Sequence, residues 1–105
     1  MADAPRLQSL RLEFSGGCEL LFRGQSSIAV ADRVPTGTTL DGLVLWIRDH
    51  LAPERPELFL TPALDALRPG ILALVNDADA EVLGGGAYVV QEDDVVTFIS
   101  TLHGG

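Results

Sequence analysis

The chain has 105 residues, 47% apolar and 21% charged, with a net charge of −8 and one cysteine. This length suits one domain that buries roughly two-thirds of its unfolded surface and folds without metals or disulfides. The composition excludes a disordered chain, the single Cys18 excludes an internal disulfide, and the acidity disfavours direct contact with nucleic-acid phosphates.

In chain order, Leu10, Leu12 and Phe14 alternate with Arg11 and Glu13, the period of a half-buried strand. Ser15-Gly16-Gly17 is a turn signal, and Cys18–Phe22 is predicted as the returning strand of a hairpin that begins with Leu7–Phe14. Gly24–Ser27 is polar loop, and Ile28-Ala29-Val30 either extends the hairpin or approaches the helix. Leu40, Leu43, Val44, Ile47 and Leu51 share one helical face, with Thr38 or Thr39 as the cap, Asp41 at the positive end and Pro53 as the stop. Ala52–Gly70 is a proline-punctuated loop with one helical turn expected near Ala63–Leu67. Ile71–Val75 is a strand, Asn76-Asp77 a turn, and Glu81–Leu83 and Tyr88–Val90 are short segments around the Gly84–Gly86 turn. Gln91–Asp94 turns the chain into Val95–Ile99, whose two apolar faces suit a central strand covered on both sides.

A hairpin, one long helix and two further main strands is the order of an α+β fold of the β-grasp, or ubiquitin-like, type. A mixed sheet covered on one face by the helix is expected. The strand before the helix and the last strand are expected side by side and nearly parallel in the middle. The longest apolar runs, such as Leu43–Ile47, are far short of the ~20 residues that span a bilayer. Met1–Arg6 has no apolar core for a signal peptide, which predicts an intracellular, cytoplasmic protein without a membrane partner.

All seven basic residues are arginine. That removes Schiff-base chemistry, the phosphate-loop lysine and a lysine general base, and leaves no side-chain amine to accept an acyl group. Cys18, His50 and His103 are too few for a structural zinc site, and no bound metal or cofactor is expected. Asp77–Glu81 lacks a calcium loop's glycine and closing glutamate, with Val82 and Tyr88 at those places. Gly84–Gly86 has neither the lysine nor the helix of a phosphate loop. Cys18 is expected as a small buried hydrophobe and Trp46 as packing or a surface anchor.

The chemistry points to the end of the sequence. From Thr101 to Gly105 an extended, flexible tail reaches about 17 Å at 3.3–3.6 Å per residue. Gly104 and Gly105 have no β-carbon and can enter a narrow channel, which suits a chain whose own carboxylate reacts. A frayed glycine end is the plainer alternative on composition alone.

Three segments, ERPELFL (54–60), RPGILALVNDADAEVLGG (68–85) and VVTFISTLHGG (95–105), closely resemble the eukaryotic ubiquitin-related modifier family. SGGCELLF (15–22) and LWI (45–47) resemble it too, so the likeness covers nearly the whole chain. It implies one ubiquitin-like sulfur-carrier domain over residues 1–105 with a reactive tail at 101–105. It implies that an E1-like activating enzyme uses ATP to adenylate Gly105, and that a sulfurtransferase step makes a thiocarboxylate. The sulfur then passes to the wobble uridine of tRNA through a thiolation enzyme complex. The same terminus can be joined to lysines of target proteins under oxidative stress, with peroxiredoxin as a candidate target. The chain is then a monomeric co-substrate, not an enzyme, and Thr101, Leu102, His103 and Gly104 are recognised by the partner. Ala80 departs from the family's usual tryptophan, the loop Thr61–Leu67 differs in composition, and the lack of lysine is unusual. Two rival readings are an interaction domain that is never activated and a small enzyme using Cys18.

Overall fold

The computed structural model describes residues 6–101. Five strands form one mixed sheet: β1 (Leu7–Ser15), β2 (Ser27–Pro35), β3 (Ile71–Val75), β4 (Ala78–Asp79) and β5 (Val95–Ser100), in the spatial order β2-β1-β5-β3-β4. One helix of any length, α1 (Leu40–His50), packs across it. The α+β, β-grasp architecture is as the element order predicts.

β1 follows its alternation. Gln8, Leu10, Leu12 and Phe14 are buried and the residues between them face outward. The helix follows its signals as well. The Gly42 N–H donates to Thr39 Oγ1 at 3.1 Å, and Asp41 lies in the first turn. Leu40, Leu43, Val44, Trp46 and Ile47 are buried, each contributing on the order of 1.5–3 kcal/mol before entropy. At the other end Leu51 is the cap residue, and Arg23 Nη2 donates to its carbonyl at 2.9 Å, a cation where the helix is negative.

Four expectations are corrected. Cys18–Phe22 is a 3-10 helix, not a strand, and the second strand is Ser27–Pro35. Gly16 and Gly17 enter the 3-10 segment with φ of +67° and +106°, and Arg23 and Gly24 leave it with φ of +60° and +77°. The chain therefore completes a helical turn before reversing, and buries Cys18, Leu21 and Phe22 on one side. Next, β5 runs parallel to β1, not to the strand before the helix, with Leu12 opposite Val96 and Phe14 opposite Phe98. β2 is an edge. Thirdly, β5 is central, but only Val96 and Phe98 face the core, and Val95 and Ile99 are half-buried on the uncovered face. Fourthly, the helical turn of the long loop is α2 (Pro56–Phe59), not Ala63–Leu67, and Leu67 instead bridges Leu60. Of the short segments, 80–83 is a 3-10 turn, Val89 makes a single bridge to Thr39, and the short strand is β4.

The four phenylalanines form the centre of the core. Phe14 stacks on Phe22 with ring centroids 4.0 Å apart, and Phe59 meets Phe22 and Phe98 edge-on at 5.3 and 5.4 Å. They come from β1, the 3-10 segment, α2 and β5, so the rings tie the ends of the sheet to the loop.

Candidate functional site at the root of the tail

What holds the end of β5 decides where the tail leaves the fold. Ile99 lies opposite Ser15 of β1, and Ser100 lies opposite Ile71 of β3. The last β5 residues therefore sit between two turns, at Gly16-Gly17 and at Pro69-Gly70. The Thr101 N–H donates to the Gly70 carbonyl at 2.9 Å, and the Thr101 hydroxyl donates to the same oxygen. Gly70 presents that carbonyl with φ +100°, where a side chain would be strained. On the other flank a β-carbon at Gly16 would overlap the Ser100 carbonyl oxygen. Thr101 is exposed, so the anchored root faces solvent.

Of the predicted tail residues, Thr101 is placed at this root. Leu102, His103, Gly104 and Gly105 lie outside the described residues. Gly16 and Gly70 were missed as root-holding residues. The one signal for Gly70 was the Pro69-Gly70 turn directly before a strand.

Cys18 lies beneath the root and is 1% exposed. Burial, and secondly the charge of Glu19, push its thiol up to about 11, against a smaller opposing pull from a Ser100 backbone hydrogen bond. A thiolate is the nucleophile, so this thiol is inert near neutral pH. The expectation of a small buried hydrophobe is met, and the small-enzyme reading loses its nucleophile.

The sheet face away from α1 adjoins the root. Leu72 is opposite Ile99 and Leu74 is opposite Thr97, with Glu13 on Thr97's other side. Leu72 is 47% exposed and Ile99 and Leu74 are half-buried, so an apolar strip with a polar margin borders the start of the tail.

The remaining motifs are structural. Asn76 and Asp77 make the β3–β4 turn with φ of +50° and +70°. Asp79 accepts the Glu81 N–H at 3.0 Å, a cap rather than an ion ligand. Among the described residues no cluster of His, Cys, Asp and Glu could hold a metal. Asp94, at 6% exposure, accepts from Asn76 Nδ2, the Tyr88 hydroxyl and the Gln91 N–H at 2.9, 2.7 and 2.8 Å. This buried carboxylate is thus satisfied and closes the turn into β5. Trp46 is packing: it stacks on His50 at 4.5 Å, with the Arg33 guanidinium 5.1 Å from its ring centroid. Ala80 is buried and lines a groove of about 300 Å³.

Residues 9–105 match the family described as Urm1 (Ubiquitin related modifier). The chain belongs to the Urm1 family. Ubiquitin-related modifier 1 of Gallus gallus is 48% identical over 98 residues, covering 92% of this chain and 95% of its own. Its counterpart in Homo sapiens is also 48% identical over 98 residues, with the same coverage. The solution structure of Urm1 from Trypanosoma brucei is 48% identical, covers the whole of both chains, and superposes with a TM-score of 0.78. The crystal structure of SAMP1 from Haloferax volcanii, at 14% identity, covers 92% of this chain and 99% of its own with a TM-score of 0.74, and shares the fold. Urm1 membership makes the chain a ubiquitin-like modifier. No helix among the described residues is long and apolar enough to cross a membrane.

Proposed function

We propose that this chain is a cytoplasmic sulfur carrier and protein modifier that acts through the carboxylate of Gly105. In an E1-like partner the carboxylate attacks the α-phosphorus of ATP, pyrophosphate leaves, and an acyl adenylate forms. A sulfurtransferase step replaces AMP and yields a thiocarboxylate. A tRNA thiolation enzyme complex takes that sulfur for the wobble uridine. In the second fate, a lysine amine of a target protein attacks the activated Gly105 carbonyl, an amide forms, and AMP leaves from the adenylate or hydrosulfide from the thiocarboxylate. The observation that carries this reading is the family match, which runs through Gly104 and Gly105.

The physical features support it. Water hydrolyses an acyl adenylate, so the reacting end must enter a partner's enclosed site, and the anchor at Thr101 starts the tail at the surface. The net charge of −8 leaves the tRNA to be held by the thiolation enzymes. The chain supplies a reacting end and a docking body, so it is a co-substrate rather than a catalyst.

The test is the intact mass after incubation with the family's activating enzyme, ATP and a sulfur source. A carrier gains the difference between one sulfur and one oxygen, and the gain maps to Gly105. Deleting Gly105, or adding a residue after it, abolishes the gain while the folded spectrum stays unchanged. Normal thiocarboxylate formation in either variant overturns the proposal.

A further inference from the structure

Beside the tail anchor, on the helix side of the sheet, runs the groove that Ala80 lines. It has a volume of about 300 Å³ and lies between the start of α1 and the β3–β4 region. Its floor is apolar, with Leu40, Val44, Ile71 and Ala80 all buried. Its far lip is acidic, with exposed Asp41, Asp79 and Glu81. The Asp41 carboxylate lies directly over Gly86, and the Glu81 carboxylate lies over Gly85. The ion pairs found among the described residues join Arg48 to Asp49 and Arg55 to Glu57, and neither reaches this lip. Arg68 lines the opposite end, next to Pro69 and the Gly70 that anchors Thr101. The groove therefore has a direction, with its one cation toward the tail and its carboxylates away from it.

We propose that this groove docks a partner-protein segment that presents one bulky apolar side chain flanked by arginine or lysine. The apolar side chain covers the floor. The basic residues meet Asp41, Asp79 and Glu81, which form no ion pair among the described residues, on a chain whose net charge is −8. The partner is the one that handles the tail, a point that rests on the carrier reading. Pro69 and Ile71 line the groove and flank Gly70, so its near end adjoins the root. Residues 102–105 span at most about 14 Å when extended. One enzyme can thus hold the groove and the tail tip together, and each contact raises the effective concentration of the other.

The experiment has two arms, both on the full chain. In the first, an acetylated and amidated peptide with tryptophan between two arginines is titrated into ¹⁵N-labelled protein, alongside its glutamate counterpart. Shifts are expected at 40–44, 68–73 and 79–86 with the arginine peptide alone. Glu81→Arg, at an exposed position, is expected to weaken binding about tenfold. Ala80→Trp, which fills the floor, abolishes it. In the second arm, Glu81→Arg raises the activating enzyme's KM for the chain about tenfold and leaves kcat unchanged. Shifts centred on Glu13, Leu74 and Thr97, equal binding of the glutamate peptide, or an unchanged KM would overturn the proposal. A wild-type chain that is never adenylated overturns the carrier reading, and the peptide arm then decides the groove by itself.

Discussion

Gly16 and Ser100 meet backbone to backbone, with no room between them for a β-carbon. One closes the turn after the first strand, and the other ends the last strand one residue before the tail anchor. Gly16→Ala meets two penalties, since φ is +67° and the new methyl overlaps the Ser100 carbonyl. The left-handed conformation alone costs about 1–2 kcal/mol. We expect a total loss above ~2 kcal/mol, read by urea denaturation, together with slower thiocarboxylate formation. Gly17→Ala is the control, because its φ is also positive but nothing lies within 4 Å. Equal losses in the two variants would show that the close approach to Ser100 has no energetic weight.

Under the proposed function Cys18→Ser is expected to retain carrier activity in a folded protein, because the proposed sulfur carrier is Gly105 and not the thiol. The serine hydroxyl is buried where a thiol was, and a poorly satisfied hydroxyl costs about 1–3 kcal/mol. Intact mass after activation and a denaturation curve check both halves. A folded Cys18→Ser chain with no carrier activity would reinstate the cysteine-enzyme reading.

Alkaline pH is expected to destabilise the fold in two steps. Burial raises the Cys18 thiol from 9.0 to about 11, so its unfolded form loses the proton first. Its contribution is fully present below pH 9 and is lost as pH rises toward 11. The hydrogen bond to Asp94, with burial second, raises Tyr88 from 10.0 to about 12, which places its loss between pH 10 and 12. Tyr88→Phe is expected to flatten the upper step and to cost about 1.5–3 kcal/mol at neutral pH, the value of a hydrogen bond to a charged group. Cys18→Ala flattens the lower step. Stability measured from pH 8 to 12 in the wild type and both variants tests the assignment, and parallel curves would refute it.

Conjugates are expected to carry single units at each target lysine. A polymer needs a side-chain amine on one copy to receive the terminus of the next, and all seven basic residues are arginines. The guanidinium stays protonated and is a poor nucleophile. The α-amino group is the one stable exception, since esters and thioesters are labile. The same absence protects an activated carrier from consuming its own kind. Cross-linked peptides from a thiocarboxylated sample, oxidised mildly with a lysine-bearing target, provide the test. Abundant amide links between copies at internal positions would contradict it.

The local pattern was enough for β1 and α1, because the period of burial is written along each segment, and for β3, because a short apolar run stands between two turn signals. Alternation at Leu10–Phe14, the Thr39 cap and the stop before Pro53 need no distant partner. The spacing of Cys18, Leu21 and Phe22 at i, i+3 and i+4 also marked a helical turn, but the glycines before it read more simply as a hairpin. β2 was obscured because an edge strand buries few residues, here Val30 and Val34, and leaves Ala31, Asp32 and Arg33 exposed. Phe59 and Leu60, both fully buried, stand in a stretch broken by prolines, where no period survives to announce them. The burial of Phe59 follows from ring packing against Phe22 and Phe98, residues far away in the chain. The choice of β1 as the parallel partner of β5 and the anchoring of Thr101 by Gly70 belong to the same class. Composition and family resemblance were sufficient to point to an acidic, lysine-free domain that ends in two glycines. Only the tertiary structure decided where that end leaves the body and what flanks it, because hydrogen bonds between segments some 30 residues apart (|i−j| = 31 for Thr101 and Gly70) exist only once the sheet has assembled.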